Sequence, residues 1–273
     1  MSGCSTSDNS NPSTPDIVPT SSQDLPESTL TAYPGNHMLT IFAAASLTGV
    51  FEEISKNFEA ANPGVQVNFN FAGSQILRTQ LEQGAMADVY ASADHKNMDL
   101  VVGESLVSAD AVHDFATNSL IVILPANNPG HVMSLADLAR LKLKIVLADA
   151  SVPAGNYARQ VLDNLSQDAA FGSDYSDKVL ANVVSNETDV KQVVTKVELG
   201  EADAGIVYAS DAVAVPELTS LPIPEKFNVI AHYPIAVLSN APQRKLAEAF
   251  VDYVLSPDGQ ALLMKWGFNS PNQ

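Results

Sequence analysis

From His37 onward the chain alternates short apolar runs with segments of helical spacing, and this alternation limits the fold more than any other feature. Residues 39–43 read as a strand, and Leu47, Val50, Phe51, Ile54 and Phe58 follow at the spacing of one helix face. Asn62-Pro63-Gly64 ends that helix, after which Val65, Val67, Phe69 and Phe71 alternate as strand residues do. Ala72-Gly73-Ser74 opens a second helix that Gly84 closes; residues 88–91 read as a strand, and Met98, Val101 and Val102 as a helix. The second half repeats the style, with strands at residues 120–124, 144–148, 204–208 and 234–238. Ser134 caps a short helix through Leu141, Pro153 opens one running to Leu165, and Thr188 caps residues 190–199 with Gly200 beyond. Two more helices cover residues 242–255 and 257–266. Such alternation implies mostly parallel sheet with helices on both faces, in which ligands bind beyond the carboxyl ends of strands near helix N-termini.

Composition narrows the partners. The chain has 273 residues, 46% of them hydrophobic, enough for a sizeable core. No apolar run approaches the roughly 18 residues a bilayer span needs. The net charge of −17 argues against nucleic acid and against a basic membrane-surface patch. It leaves a small anion open, because N–H groups and hydroxyls in a closed site can hold one while surface carboxylates are screened beyond about 8–10 Å. Residues 5–36 are rich in Ser, Thr, Pro, Asn and Asp and read as a polar tether reaching roughly 30 Å on average. The single cysteine, Cys4, excludes a disulfide. Ser2-Gly3-Cys4 resembles the tail of a bacterial lipoprotein signal, whose cysteine is acylated after cleavage. The expectation is a trimmed chain, lipid-anchored at Cys4 through a tether of residues 1–37.

Four junctions share one property. Ser46 and Ser74 each follow a strand and open a helix, Val152-Pro153-Ala154-Gly155 opens a third, and Thr188-Asp189-Val190 a fourth. A helix N-terminus offers unpaired N–H groups and a positive dipole end, and small residues (Ala43, Ala44, Ala45, Gly73, Ala154, Gly155) would let an oxyanion approach. Taken singly, each junction is more simply a cap, since serine is a preferred N-cap. Other chemistries have weaker support. The histidines (His37, His95, His113, His131, His232) lack metal-ligand spacing and read as surface residues. No phosphate loop or nucleophile elbow is present. Asp88, Asp94 and Asp211 read as caps or turn residues, and Trp266 as core.

The same junctions carry a resemblance. Phe42-Ala43-Ala44-Ala45-Ser46-Leu47-Thr48, Phe71-Ala72-Gly73-Ser74, Ala87-Asp88-Val89-Tyr90-Ala91-Ser92-Ala93-Asp94, Val152-Pro153-Ala154-Gly155 and Gly205-Ile206-Val207-Tyr208-Ala209-Ser210-Asp211-Ala212 resemble, in order, the periplasmic molybdate-binding proteins of ABC importers. The likeness runs from about Leu39 to Phe268 and excludes the tail. It implies a two-lobed type II periplasmic-binding-protein fold, each lobe a mostly parallel sheet flanked by helices, joined by two crossover segments. The lobes would be residues 38–117 plus 233–273 and residues 118–232. The resemblance further implies that molybdate is held by Ser46 and Ser74 through hydroxyl and N–H, by the N–H groups of Ala154 and Val190, and by the Tyr208 hydroxyl. The family often has Ser-Ser where this chain has Ser74-Gln75. These residues would contact molybdenum only through its oxyanion; no cofactor or separate metal is implied.

Molybdate, tungstate and sulfate are full dianions near neutral pH, so a site built of donors alone suits them, and charge-assisted bonds in a closed cleft are strong. The expected function is capture of molybdate or tungstate outside the membrane, by a monomer, with delivery to an ABC permease. The rivals are a sulfate- or phosphate-type oxyanion binder, a hydrolase or phosphoryl-transfer enzyme using Ser46 or Ser74, and an effector-sensing module. The enzyme needs a base within reach of the serine, which no motif supplies; the sensor lacks a DNA-binding segment.

Overall fold

In a computed structural model the described residues are 1–4 and 37–271. The chain divides into two units, Met1–Leu30 and Thr31–Gln273. Of the first, residues 1–4 are described; they are exposed and include the free thiol of Cys4. The polar tether expected over residues 5–36 lies outside the described residues.

The second unit holds two α/β lobes. β1 (His37–Ala44), α1 (Thr48–Ala61), β2 (Val65–Ala72), α2 (Ser74–Glu82), β3 (Val89–Ala91), α3 (His95–Gly103) and β4 (His113–Asn118) begin the first lobe. After Ser119 the chain enters the second lobe through β5 (Leu120–Leu124), β6 (Ile145–Ala148), α4 (Pro153–Ser166), α5 (Tyr175–Leu180) and β7 (Val183–Glu187). α6 (Val190–Glu198), β8 (Ala204–Tyr208), α7 (Ala209–Ala214) and β9 (Thr219–Pro222) complete it. The chain returns by β10 (Ala231–Val237) and ends in α8 (Arg244–Leu255) and α9 (Pro257–Lys265).

Each lobe has a five-stranded sheet, ordered β2-β1-β3-β10-β4 in the first and β7-β6-β8-β5-β9 in the second. The parallel pairing read from the sequence holds for β2-β1-β3 and for β7-β6-β8. The other half of each sheet is antiparallel. β10 arrives from the other lobe rather than over a crossover helix of its own sheet, and β5 enters in the same way, so neither is bound to the parallel direction. Helix periodicity carries no trace of this. The strand expected at 234–238 is Ala231–Val237, and the helix expected from residue 242 starts at Arg244. The segment after Ser134 is a 3-10 turn, Leu135–Ala139, whose first turn Ser134 and Asp137 cap reciprocally.

The first sheet is covered on both faces. Leu39, Ile41 and Ala43 of β1 face one core with Phe51, Phe58 and Phe250, whereas Phe42 faces a second with Leu77, Tyr90 and Met98. The strand period of two thus assigns α1 and α8 to one side and α2 and α3 to the other. Trp266, expected in the core, is half-buried where α9 meets α1; its indole N–H donates to Glu53 at 2.6 Å. A Cβ on Gly49 would stand 2.4 Å from the Trp266 ring, so only glycine fits under it.

Candidate functional site

The carboxyl ends of β1, β2, β6 and β8 each lead into a turn or helix start at the junction of the two lobes. Ser46, Ser74, Ala154, Val190 and Tyr208, the set that the family resemblance implies, line one cavity there. Ala44, Ala45, Gly73, Ala93, Val152, Pro153 and Asp189 complete its wall. The cavity's volume is about 10 Å³. That is below the roughly 300 Å³ at which pockets for ordinary organic ligands begin, and it suits a single small ion. A larger cavity of about 590 Å³ lies beside Ser119, where the Asn118 and Asn228 amides are already engaged: Asn118 donates to Ser210 Oγ at 2.8 Å and Asn228 to the Leu120 carbonyl at 2.8 Å.

Neither serine serves as the N-cap that its position suggests. Ser46 lies inside a 3-10 turn, Ala45–Leu47, and its Oγ is 3.1 Å from Tyr233 Oη on β10. When Tyr233 donates, the Ser46 proton is left for the cavity. Ser74 is the first residue of α2, and its Oγ accepts the Ala93 N–H at 3.0 Å, so its own proton is likewise free. Its carbonyl accepts from Tyr90 Oη at 3.0 Å, which fixes the turn.

The remaining donors come from the second lobe. α4 begins with Pro153 after Val152, which leaves the Ala154 N–H in the first turn, where no intrahelical acceptor exists. Val190 opens α6 in the same way, and the cap there is Asp189 rather than the expected Thr188. The Asp189 carboxylate accepts from the Gln192 backbone N–H at 3.1 Å and from its amide at 2.6 Å. The one acidic residue in the wall is therefore turned to its own helix. Tyr208 ends β8, is buried, and its Oη has no hydrogen-bond partner. Burial first, then the neighbouring phenols of Tyr233 and Tyr157 and the carboxylates of Asp94 and Asp211, hold its pKa well above the ordinary value. It remains a neutral donor at physiological pH.

The small residues divide by role. Ala44 and Ala45 line the cavity, while Ala43 packs into the core. Gly155 does not let a ligand approach, as the sequence had suggested. A Cβ there would stand 2.1 Å from the Asp149 carbonyl and 2.3 Å from that of Ala148, so glycine lets α4 seat on the end of β6.

The acids read as caps or turn residues bind backbone. Asp88 accepts from Thr40 and Gln243 N–H groups, Asp94 caps α3 through Asn97, and buried Asp211 accepts from Tyr208 N–H and lies 3.0 Å from Lys191 Nζ. His95 and His232 are exposed, as read from the sequence, and both reach Asp114: His95 Nε2 lies 2.8 Å and His232 Nδ1 3.8 Å from its oxygens. Among the described residues no group of three or more His, Cys, Asp or Glu is placed to hold a metal ion. Sequence reading missed Tyr233 and the Ala93 N–H, the two groups that orient the serines, because their roles come from neighbours about 187 and 19 positions away.

Two α/β lobes that close on a small cavity lined by free N–H groups and hydroxyls define a solute-binding protein. Residues 39–269 match the model of the bacterial extracellular solute-binding protein family, and the chain belongs to that family. It is 42% identical over 238 residues to the molybdate-binding protein ModA of Mycobacterium tuberculosis strain H37Rv, covering 87% of this chain and 86% of that one. It is 30% identical to the putative ABC transporter substrate-binding lipoprotein YvgL of Bacillus subtilis, covering 85% and 86%. Among solved structures, the substrate binding domain of a putative molybdenum ABC transporter from Clostridium difficile superposes with a TM-score of 0.64 at 32% identity, covering 86% of this chain and 99% of that one.

Proposed function

We propose that this protein captures molybdate, or the isostructural tungstate, outside the cytoplasm and presents it to an ABC permease. The observation that carries the reading is the donor-only wall: the Ser74 hydroxyl with its proton to spare, the Ser46 hydroxyl with its proton free when Tyr233 donates, one unpartnered buried phenol, and free first-turn N–H groups from α4 and α6. An unpartnered buried hydroxyl costs about 1–3 kcal/mol, a cost that an anion bound there would remove. Donors fixed before the ligand arrives bind a full dianion without competing for its protons. The names of the relatives at 42% and 32% identity point to molybdate among such dianions. Neither serine is hydrogen-bonded to a histidine or carboxylate, the arrangement a nucleophile needs. The exposed Cys4 and the lipoprotein relative support a lipid anchor at that residue, with the binding unit working as a monomer at the membrane surface.

Isothermal titration calorimetry of molybdate into the protein and into the Ser46→Ala/Ser74→Ala double variant tests this. The reading expects one site per chain, lost or strongly weakened in the variant. Equal affinity in both proteins would overturn it.

A further inference from the structure

We propose that Gln75 is the latch of the closed cleft, bridging the lobes and slowing release of the bound anion without touching it. The proposal rests on the anion-binding reading above. Gln75 Nε2, on α2 of the first lobe, donates to the Thr188 carbonyl of the second at 3.0 Å. Gln75 follows Ser74, and Thr188 stands two residues ahead of Val190. The bond therefore ties the N-terminus of α2 to that of α6, next to two of the inferred contacts. Gln75 itself is not part of the cavity wall.

Two observations show that this side chain is placed by the approach of the lobes. A Cβ on Gly73 would stand 2.6 Å from the Thr188 carbonyl oxygen and 2.5 and 2.6 Å from the Gln75 amide atoms, so the lobes pass here at backbone distance. Gln75 Oε1 is buried with no hydrogen-bond partner, so the interlobe bond through Nε2 is the amide's one anchor. Thr188 is held in turn, its Oγ1 accepting from Gln192 Nε2 at 2.7 Å.

A bond that opening of the cleft would break stabilises the closed state and acts on release rather than capture. One neutral hydrogen bond is worth roughly two- to tenfold in an equilibrium. The test compares the wild type with Gln75→Met, similar in length but without a donor, and Gln75→Ala. Molybdate capture and release are followed by stopped-flow. In parallel, spin labels at the exposed Lys96 on α3 and Gln160 on α4, in a Cys4→Ser background, report the lobe separation without anion. The expected result is release roughly two- to tenfold faster, capture unchanged, and a broader label distance in both variants. Unchanged or slower release overturns the latch. If the wild type takes up no molybdate, the anion reading fails, and the label distances decide alone: broader in the variants supports the latch, unchanged overturns it.

Discussion

A hydroxyl whose oxygen already accepts a hydrogen bond keeps its proton for a ligand; the Ala93 N–H puts Ser74 in that state, and the Tyr233 phenol does the same for Ser46 when it is the donor. Each serine should therefore supply a charge-assisted bond worth about 1.5–3 kcal/mol. Ser46→Ala or Ser74→Ala should each weaken molybdate binding by roughly 10- to 150-fold, read by calorimetry. Tyr208→Phe separates ligand binding from folding. No internal bond is lost with its unpartnered hydroxyl, so the melting temperature of the ligand-free variant should stay level or rise while affinity falls by a similar factor. A drop in ligand-free stability with unchanged affinity would assign Tyr208 to packing. The junctions that hold Ser46, Ser74, Ala154 and Val190 were legible because each writes its small and capping residues next to one another, whereas Tyr208 and the joining of the five into one ligand set came from the family resemblance. Tyr233 was not legible, since nothing in an alternating strand marks which tyrosine will face a serine from another part of the chain.

At the scale of elements, the site depends on how tightly helices seat on strand ends. α4 can approach β6 only because residue 155 has no side chain. Gly155→Ala should force α4 away from the Asp149 and Ala148 carbonyls and destabilise the protein by about 1–3 kcal/mol, read as a lower melting temperature. Affinity should fall with it, because the Ala154 N–H moves with the helix; a fully stable variant with native affinity would contradict this packing. The longer helices followed from the spacing of apolar residues, whereas the six-residue α5 and α7 were not read; the α6 cap was misplaced by one residue because Thr188 and Asp189 are both good caps. β4, β7 and β9 left little pattern: His113–Asn118 and Val183–Glu187 mix polar and apolar residues without a continuous apolar run, and Thr219–Pro222 is largely exposed at a sheet edge. The antiparallel halves of the sheets are set by passages between lobes, which local periodicity does not encode.

For the whole molecule, a net charge of −17 and a site for a dianion coexist because the cavity wall carries no free charge of its own. This has a consequence in pH. Ionised Tyr208 would set a phenolate against the anion, so affinity would fall as pH rises through its folded pKa. Burial moves that point well above the ordinary tyrosine value of about 10. Molybdate affinity at fixed ionic strength should therefore be flat between about pH 6 and 9, the range below the ordinary tyrosine value. A loss centred within that range would mean that the phenol is not buried as described.

The measurement that bears most directly on the donor-only site is a thermal-shift titration with molybdate, tungstate, sulfate and phosphate at equal concentration. A ligand present at about 1,000 times its dissociation constant adds about 4 kcal/mol, which raises the melting temperature by on the order of 10 °C for a chain of this size. A large shift with molybdate and tungstate, and little with sulfate or phosphate, is the predicted result. No shift with any of the four would contradict the account and leave the converging helix N-termini as packing alone.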